Sequence, residues 1–183
     1  MSNTVIIVIA VVAVIVLWFI ATQNGLVKKD EICTNALKQI NVQQVSRYDV
    51  ILAQVKLVRE YASYEAETFQ KTVEARKITA SASPTAAEIN ANEEVLKEVS
   101  AKLIAIAEAY PDLKANQSYQ KAMDSIEKYE ENVRLSRMTF NDTVTIYNRQ
   151  VRSFPASIVA GILGFGRRDY LAEDTKRKEF PSF

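Results

Sequence analysis

The sequence predicts an all-α protein: an N-terminal transmembrane helix followed by a long antiparallel up-and-down bundle of three to four helices. Three observations predict it. Residues 5–21 read VIIVIAVVAVIVLWFIA, an apolar run with no charge inside it. The rest of the 183-residue chain is charged and poor in helix breakers, with 4 Gly and 4 Pro in all. Its apolar positions then recur at intervals of three and four, the period of one helix face.

At roughly 1.5 Å of rise per residue, the apolar run covers most of a hydrocarbon core about 30 Å thick. A cleaved signal peptide fits less well. It would bring a basic start, a shorter apolar core and a small-x-small cleavage site, whereas the chain opens Met-Ser-Asn-Thr and reads Ala21-Thr22-Gln23 after the run. A retained anchor contacting membrane lipid through residues 5–21 is therefore expected. No Lys or Arg precedes the run, Lys28 and Lys29 follow it, and Trp18 lies near that end. This asymmetry predicts an N-terminus outside and a bundle in the cytoplasm. The expected organisation is an anchor over 1–25, a helical bundle over 26–166 and a charged, flexible tail over 167–183.

Between residues 26 and 79 there is no Pro or Gly, and Tyr48, Ile51, Val55, Val58, Ala62 and Phe69 mark one buried stripe. Residues 81–85, Ser-Ala-Ser-Pro-Thr, then predict a turn. Ser83 is a candidate cap, Pro84 suits a first helical position, and Thr85 with Glu88 matches a capping box. The next helix carries Leu96, Val99, Leu103, Ile106 and Tyr110, and Pro111 stops it. Asn116 can cap a further helix with a seam of Tyr119, Ala122, Ile126, Tyr129, Val133, Phe140, Val144 and Tyr147. The first stripe outruns the second about twofold, leaving tens of ångströms in need of cover. Either that helix breaks, making four, or a second chain covers it.

The chain changes character at Ser153-Phe154-Pro155. Residues 156–165 are apolar but too short to span a bilayer, and Arg167 and Arg168 follow. One reading is a short helix closing the end of the bundle. The other is an interfacial segment whose Ile158, Ile162, Leu163 and Phe165 meet lipid while Arg167 and Arg168 meet anionic headgroups.

Composition removes several function classes. With 23 basic and 22 acidic residues there is no electrostatic case for binding nucleic acid. The absence of His removes His-based acid–base catalysis, Ser-His and Cys-His nucleophiles and zinc sites of the HExxH type. Cys33 stands alone and reads as a packed apolar residue. No Gly-rich phosphate loop occurs. The pairs Glu93-Glu94 and Glu130-Glu131 occupy adjacent helix positions about 100° apart, which suits a solvated face better than a catalytic dyad. Asn116-Gln117-Ser118 and Asn141-Asp142-Thr143 match the glycosylation triplet by chance. No catalytic, cofactor or metal residue is expected, and the protein is not expected to be an enzyme.

Short strings follow one another along the chain. Asn24-Gly25-Leu26-Val27 stands at the exit from the anchor, and Gln39-Ile40-Asn41-Val42 precedes Arg47-Tyr48-Asp49. Tyr61-Ala62, Glu65 and Glu74-Ala75-Arg76 come next. Then come Glu108-Ala109-Tyr110-Pro111-Asp112-Leu113-Lys114-Ala115-Asn116, Tyr147-Asn148, Arg152-Ser153-Phe154-Pro155 and Ala160-Gly161-Ile162-Leu163-Gly164-Phe165. In order and spacing these strings resemble the LemA family of bacterial membrane-anchored helical proteins, over nearly the whole chain after the anchor. The chain departs from the family pattern at Leu37, where an aromatic is often found, and at Leu52-Ala53, where Pro-Asn is usual. Losing that proline predicts a straighter first helix.

The resemblance implies about four helices behind one membrane helix, in the cell (inner) membrane. It implies no activity, because the family has none established; its members are often encoded near membrane proteases or other envelope proteins. Tyr110, Pro111, Leu113, Lys114 and Asn116 can be read as a helix stop and restart, or as an exposed loop that docks a partner. Arg47, Tyr48 and Asp49 pose a similar choice, between an internal salt-bridged kink region and a recognition patch on the long first helix. The expected protein is a scaffold or adaptor with an unidentified protein partner, self-associating through the uncovered part of the first helix. The alternative is a non-catalytic regulator of an envelope protease or other membrane partner.

Overall fold

The computed structural model describes residues 2–62, 66, 69–70, 73, 78 and 81–172. Glu65, residues 74–76, Thr79 and the tail over 173–183 lie outside the described residues. The protein is all-helical: α1 spans Asn3–Tyr61, α2 Ala86–Ala109, α3 Pro111–Ala115, α4 Gln117–Arg152 and α5 Ala156–Leu163. No strand occurs among the described residues. The chain divides into two units, the first formed by Met1–Ala36 and Phe140–Tyr170, the second by Leu37–Thr139 and Leu171–Phe183.

In the second unit the long first stripe breaks, the first of the two outcomes expected for it, because α1 ends at Tyr61. Its own chain then covers it. The Tyr48 hydroxyl donates to the Val73 carbonyl at 2.9 Å across 25 residues, a separation that a continuous helix would stretch to roughly 37 Å. Arg59 likewise reaches Gln70, and Asn41 accepts from the Ser81 amide at 2.7 Å. The chain has therefore doubled back, with helical backbone at Ala66, Phe69, Gln70 and Val73. No Pro or Gly marks this stop. What favours it is burial, because Tyr48, Ile51, Val55 and Val58 share one core with Ala62, Ala66, Phe69 and Val73.

The direction of each pass follows from its pairings. Gln44 and Arg47 meet Ile89 and Glu93, so α1 and α2 run parallel. Tyr61 meets Asn116 and Arg47 meets Glu130, so α4 runs antiparallel to α1. The order is up, down, up, down. Leu96, Val99, Leu103 and Ala107 of α2, with Leu113, Tyr119 and Ile126, complete the core.

The capping box is present at Thr85 and Glu88, so Thr85 and not Ser83 caps α2, and Pro84 stands outside the helix. Pro84 and Ile89 occupy the positions of a hydrophobic staple, and both are buried. Asn116 caps α4 by accepting from the amides of Ser118 and Tyr119 at 2.8 and 3.2 Å.

In the first unit, α1 continues without a break from the apolar run through Gly25 into the buried Leu26 and Cys33. Only this helix is long and apolar enough to cross a membrane among the described residues. Its pairings with α4 are antiparallel: Lys29 with Gln150, and Cys33 with Thr143. α5 lays Val159 and Ala160 against Leu26, with Phe19, Val151 and Phe165 around them.

Candidate functional site

The C-terminal stretch after α5 is clasped to the helix pair of the first unit. Arg168 donates through Nε and Nη2 to the two carboxylate oxygens of Asp30, at 2.7 and 3.0 Å, and through Nη2 to the Thr34 hydroxyl at 2.7 Å. Its backbone is held as firmly. The Arg168 amide donates to Asn148 Oδ1 and its carbonyl accepts from Asn148 Nδ2, both at 2.9 Å. The Tyr147 hydroxyl donates to the Gly166 carbonyl at 3.0 Å, and the guanidinium lies 6.0 Å from that ring's centre. The chain enters this clasp through Gly164, which ends α5 in the left-handed region at φ 77°. The Phe165 amide reaches back to the Ala160 carbonyl at 2.9 Å, the closure expected at a glycine helix end.

The electrostatics keep this site quiet. The Asp30 hydrogen bonds hold the Arg168 guanidinium above its ordinary value against the opposing effect of burial. Burial pushes the Cys33 thiol up, outweighing the Thr143 hydrogen bond and the Arg168 charge. It is thus a thiol and not a thiolate at neutral pH, the inert form. Burial, then the Asp30 charge, pushes the Tyr147 phenol up. No group of three or more His, Cys, Asp or Glu among the described residues could hold a metal ion.

The second unit buries a charge. Arg47 is 1% exposed. It donates to Glu93 Oε1 at 3.3 Å, Ser100 Oγ at 3.3 Å and Glu130 Oε2 at 3.1 Å. Gln44 adds bonds to the Ile89 carbonyl at 2.9 Å and to Glu93 at 3.3 Å. A buried guanidinium must be matched in this way, since an unpaired one would be prohibitive. Of Arg47, Tyr48 and Asp49, only Asp49 is exposed.

The stretch 110–116 divides similarly. Leu113 is fully buried, while Asn116 caps α4 and donates to the Tyr61 hydroxyl at 2.9 Å. Pro111 and Lys114 are exposed, with Lys114 bonded to Glu108 at 2.7 Å, and Tyr110 is half-buried. Of the residues read for lipid contact, Ile158, Ile162, Leu163 and Arg167 face outward, Phe165 packs partly under α5, and Arg168 belongs to the clasp. A cis peptide joins Phe154 to Pro155, and Phe154 is 82% exposed.

Sequence reading missed Asp30, Thr34 and Asn148 as partners of Arg168. It also missed Arg149 and Arg152, one turn apart at the end of α4. They line two adjoining clefts of about 370 and 200 Å³ that share Asn148, Arg152 and Tyr170. The first also takes in Thr145, Arg149 and Ser153, the second Arg167, Arg168 and Asp169. The signal was there in the spacing of the two arginines at a helix C-terminus, where basic residues favour the dipole.

Comparison with known proteins returns one family: the LemA family profile matches residues 36–183. Magnetosome protein MamQ 2 and MamQ 1 of Paramagnetospirillum magneticum are each 29% identical over 72 residues, 39% of this chain and 26% of theirs. Magnetosome protein MamQ of Magnetospirillum gryphiswaldense is 32% identical over a stretch covering the same shares. The matched stretch spans about a quarter of the length of these relatives.

Proposed function

The chain belongs to the LemA family of membrane-associated helical proteins, and from that footing we propose that it is a single-pass, non-catalytic scaffold that presents a helical bundle at a membrane surface. The observation that carries this reading is the continuity of α1 in the first unit. The apolar run and the buried residues Leu26 and Cys33 belong to one unbroken helix. An anchor joined in this way transmits its orientation to the packed helices, whereas a flexible linker would not. Lys28 and Lys29 support an N-terminus outside and a bundle in the cytoplasm.

Photo-crosslinkers at the exposed Asp49 and Lys114 of the full chain in living cells test the scaffold. Discrete adducts with membrane proteins are expected, and they should vanish when a flexible Gly-Ser insert separates Ala21 from Thr22. Adducts that survive the insert unchanged would overturn the role of rigid coupling, and no adduct at either position would overturn the scaffold. Labelling of a cysteine placed at Asp142 with a membrane-impermeant reagent reads orientation. Protection in intact cells, lost on permeabilisation, is the expected result.

A further inference from the structure

We infer that the end of α4, the Ser153-Phe154-Pro155 turn and α5 form a second membrane contact, seated in the interfacial layer of the leaflet where the anchor emerges, with Arg149, Arg152 and Arg167 placed for anionic lipid phosphates. The depth follows from pairings within the first unit. A Cβ on Gly25 would lie 3.2 Å from the Gln150 amide nitrogen, and Lys29 bonds to the Gln150 side chain. Gln150 is therefore level with the first turns of α1 beyond the apolar run. α4 is antiparallel to α1, so it points its end toward the membrane. Phe154, four residues on, lies roughly 6 Å deeper, near the level where the run ends.

α5 confirms the level independently, because its Val159 and Ala160 pack on Leu26 with Phe19 beside them, across the end of the run. The face of α5 turned away from that contact is apolar. Phe154 is 82%, Ile158 53% and Ile162 68% exposed. Such a cluster in water would be costly, and at the headgroup–acyl boundary it is favourable. The apolar band of the anchor is exposed in the same way and continues into it. The charges agree with this placement. Arg149, Arg152 and Arg167 line the two adjoining clefts with Tyr170, Ser153 and Thr145. Among the described residues, Asp169 is the one carboxylate lining either of them. Arg168 is already matched by Asp30, which leaves the other three guanidinium groups to meet phosphate.

The inference rests on residues 5–21 being a membrane span, and the experiment separates the two. The full chain with Cys33→Ala is reconstituted into nanodiscs of phosphatidylcholine with or without phosphatidylglycerol; failure to incorporate would remove the anchor itself. An environment-sensitive fluorophore is then attached at Phe154→Cys, Ile162→Cys or, as a wet control, Asp142→Cys. The labels at 154 and 162 should be several-fold less accessible to aqueous iodide than the label at 142, and quenched by shallow lipid-borne spin labels. Phosphatidylglycerol should strengthen that lipid quenching, and Arg149→Gln with Arg152→Gln and Arg167→Gln should abolish the strengthening. Labels at 154 and 162 as accessible to iodide as the label at 142 would overturn the contact. Strengthening undiminished in the triple variant would overturn the role given to the arginines.

Discussion

Arg168 grips both carboxylate oxygens of Asp30 across 138 residues of sequence, and the same guanidinium reaches the Thr34 hydroxyl. The pair is only partly exposed, with 27% of the arginine side chain and 35% of the aspartate in contact with solvent. Bidentate geometry favours it over an ordinary surface pair. Asp30→Asn and Arg168→Gln should each lower stability by roughly 1–2 kcal/mol. The double variant should lose less than the sum, as read by urea melts in detergent.

The Arg47 network is the most sensitive point of the second unit. Arg47→Ala leaves the buried Glu93 carboxylate without its cation and should cost about 3–5 kcal/mol. Arg47→Met with Glu93→Leu removes both charges and should recover much of that loss. A double variant as unstable as Arg47→Ala in thermal melts would contradict this account.

Asn116 joins two elements. Asn116→Ala removes the cap of α4 and the bond to Tyr61, and should cost about 1–2 kcal/mol. Asn116→Asp keeps a capping carboxylate favoured by the helix dipole and should cost less. Tyr61→Phe measures the remaining bond by itself.

Two glycines of the same helix region should respond with opposite signs. Gly161 lies inside α5 with open space where a Cβ would stand, so Gly161→Ala should stabilise by roughly 0.5–1 kcal/mol. Gly164 has equal space but a φ of +77°, so Gly164→Ala should destabilise by about 1–2 kcal/mol. Melting temperatures of the two variants decide the comparison.

Stability should fall in alkali. Cys33 has an ordinary value of 9.0, and burial raises it in the folded state. Above pH 9 the unfolded chain therefore releases the thiol proton while the folded chain keeps it. Unfolding is then favoured by up to about 1.4 kcal/mol per pH unit until the folded value is passed. Tyr119 and Tyr147, also raised chiefly by burial from 10.0, add the same sign at higher pH. Urea melts between pH 8 and 10 should lose part of their slope in Cys33→Ala.

The capping box at Thr85, the cap at Asn116, the seams of α2 and α4 and the apolar run were all legible in the sequence, because each depends on residues a few positions apart on one helix. Local spacing is enough to determine a helix face and its ends. A break in the first helix is one of two outcomes read from its excess length, but its place at Tyr61 was not legible, since no breaker marks it and only burial of Tyr48, Ile51, Val55 and Val58 by the returning chain favours it. The fate of Arg47 and of Arg168 was equally hidden. In the sequence Arg47 is open as an internal salt-bridged residue or part of a recognition patch, and Arg168 reads as a headgroup contact; the structure matches each with carboxylates 46 to 138 residues away. The sequence by itself determined that this is a helical protein with one stretch long and apolar enough to cross a membrane, because periodicity and hydropathy are local. Only the tertiary structure decided which charges are internal, what covers the second half of α1 and where α5 packs, because those outcomes depend on contacts between segments far apart along the chain.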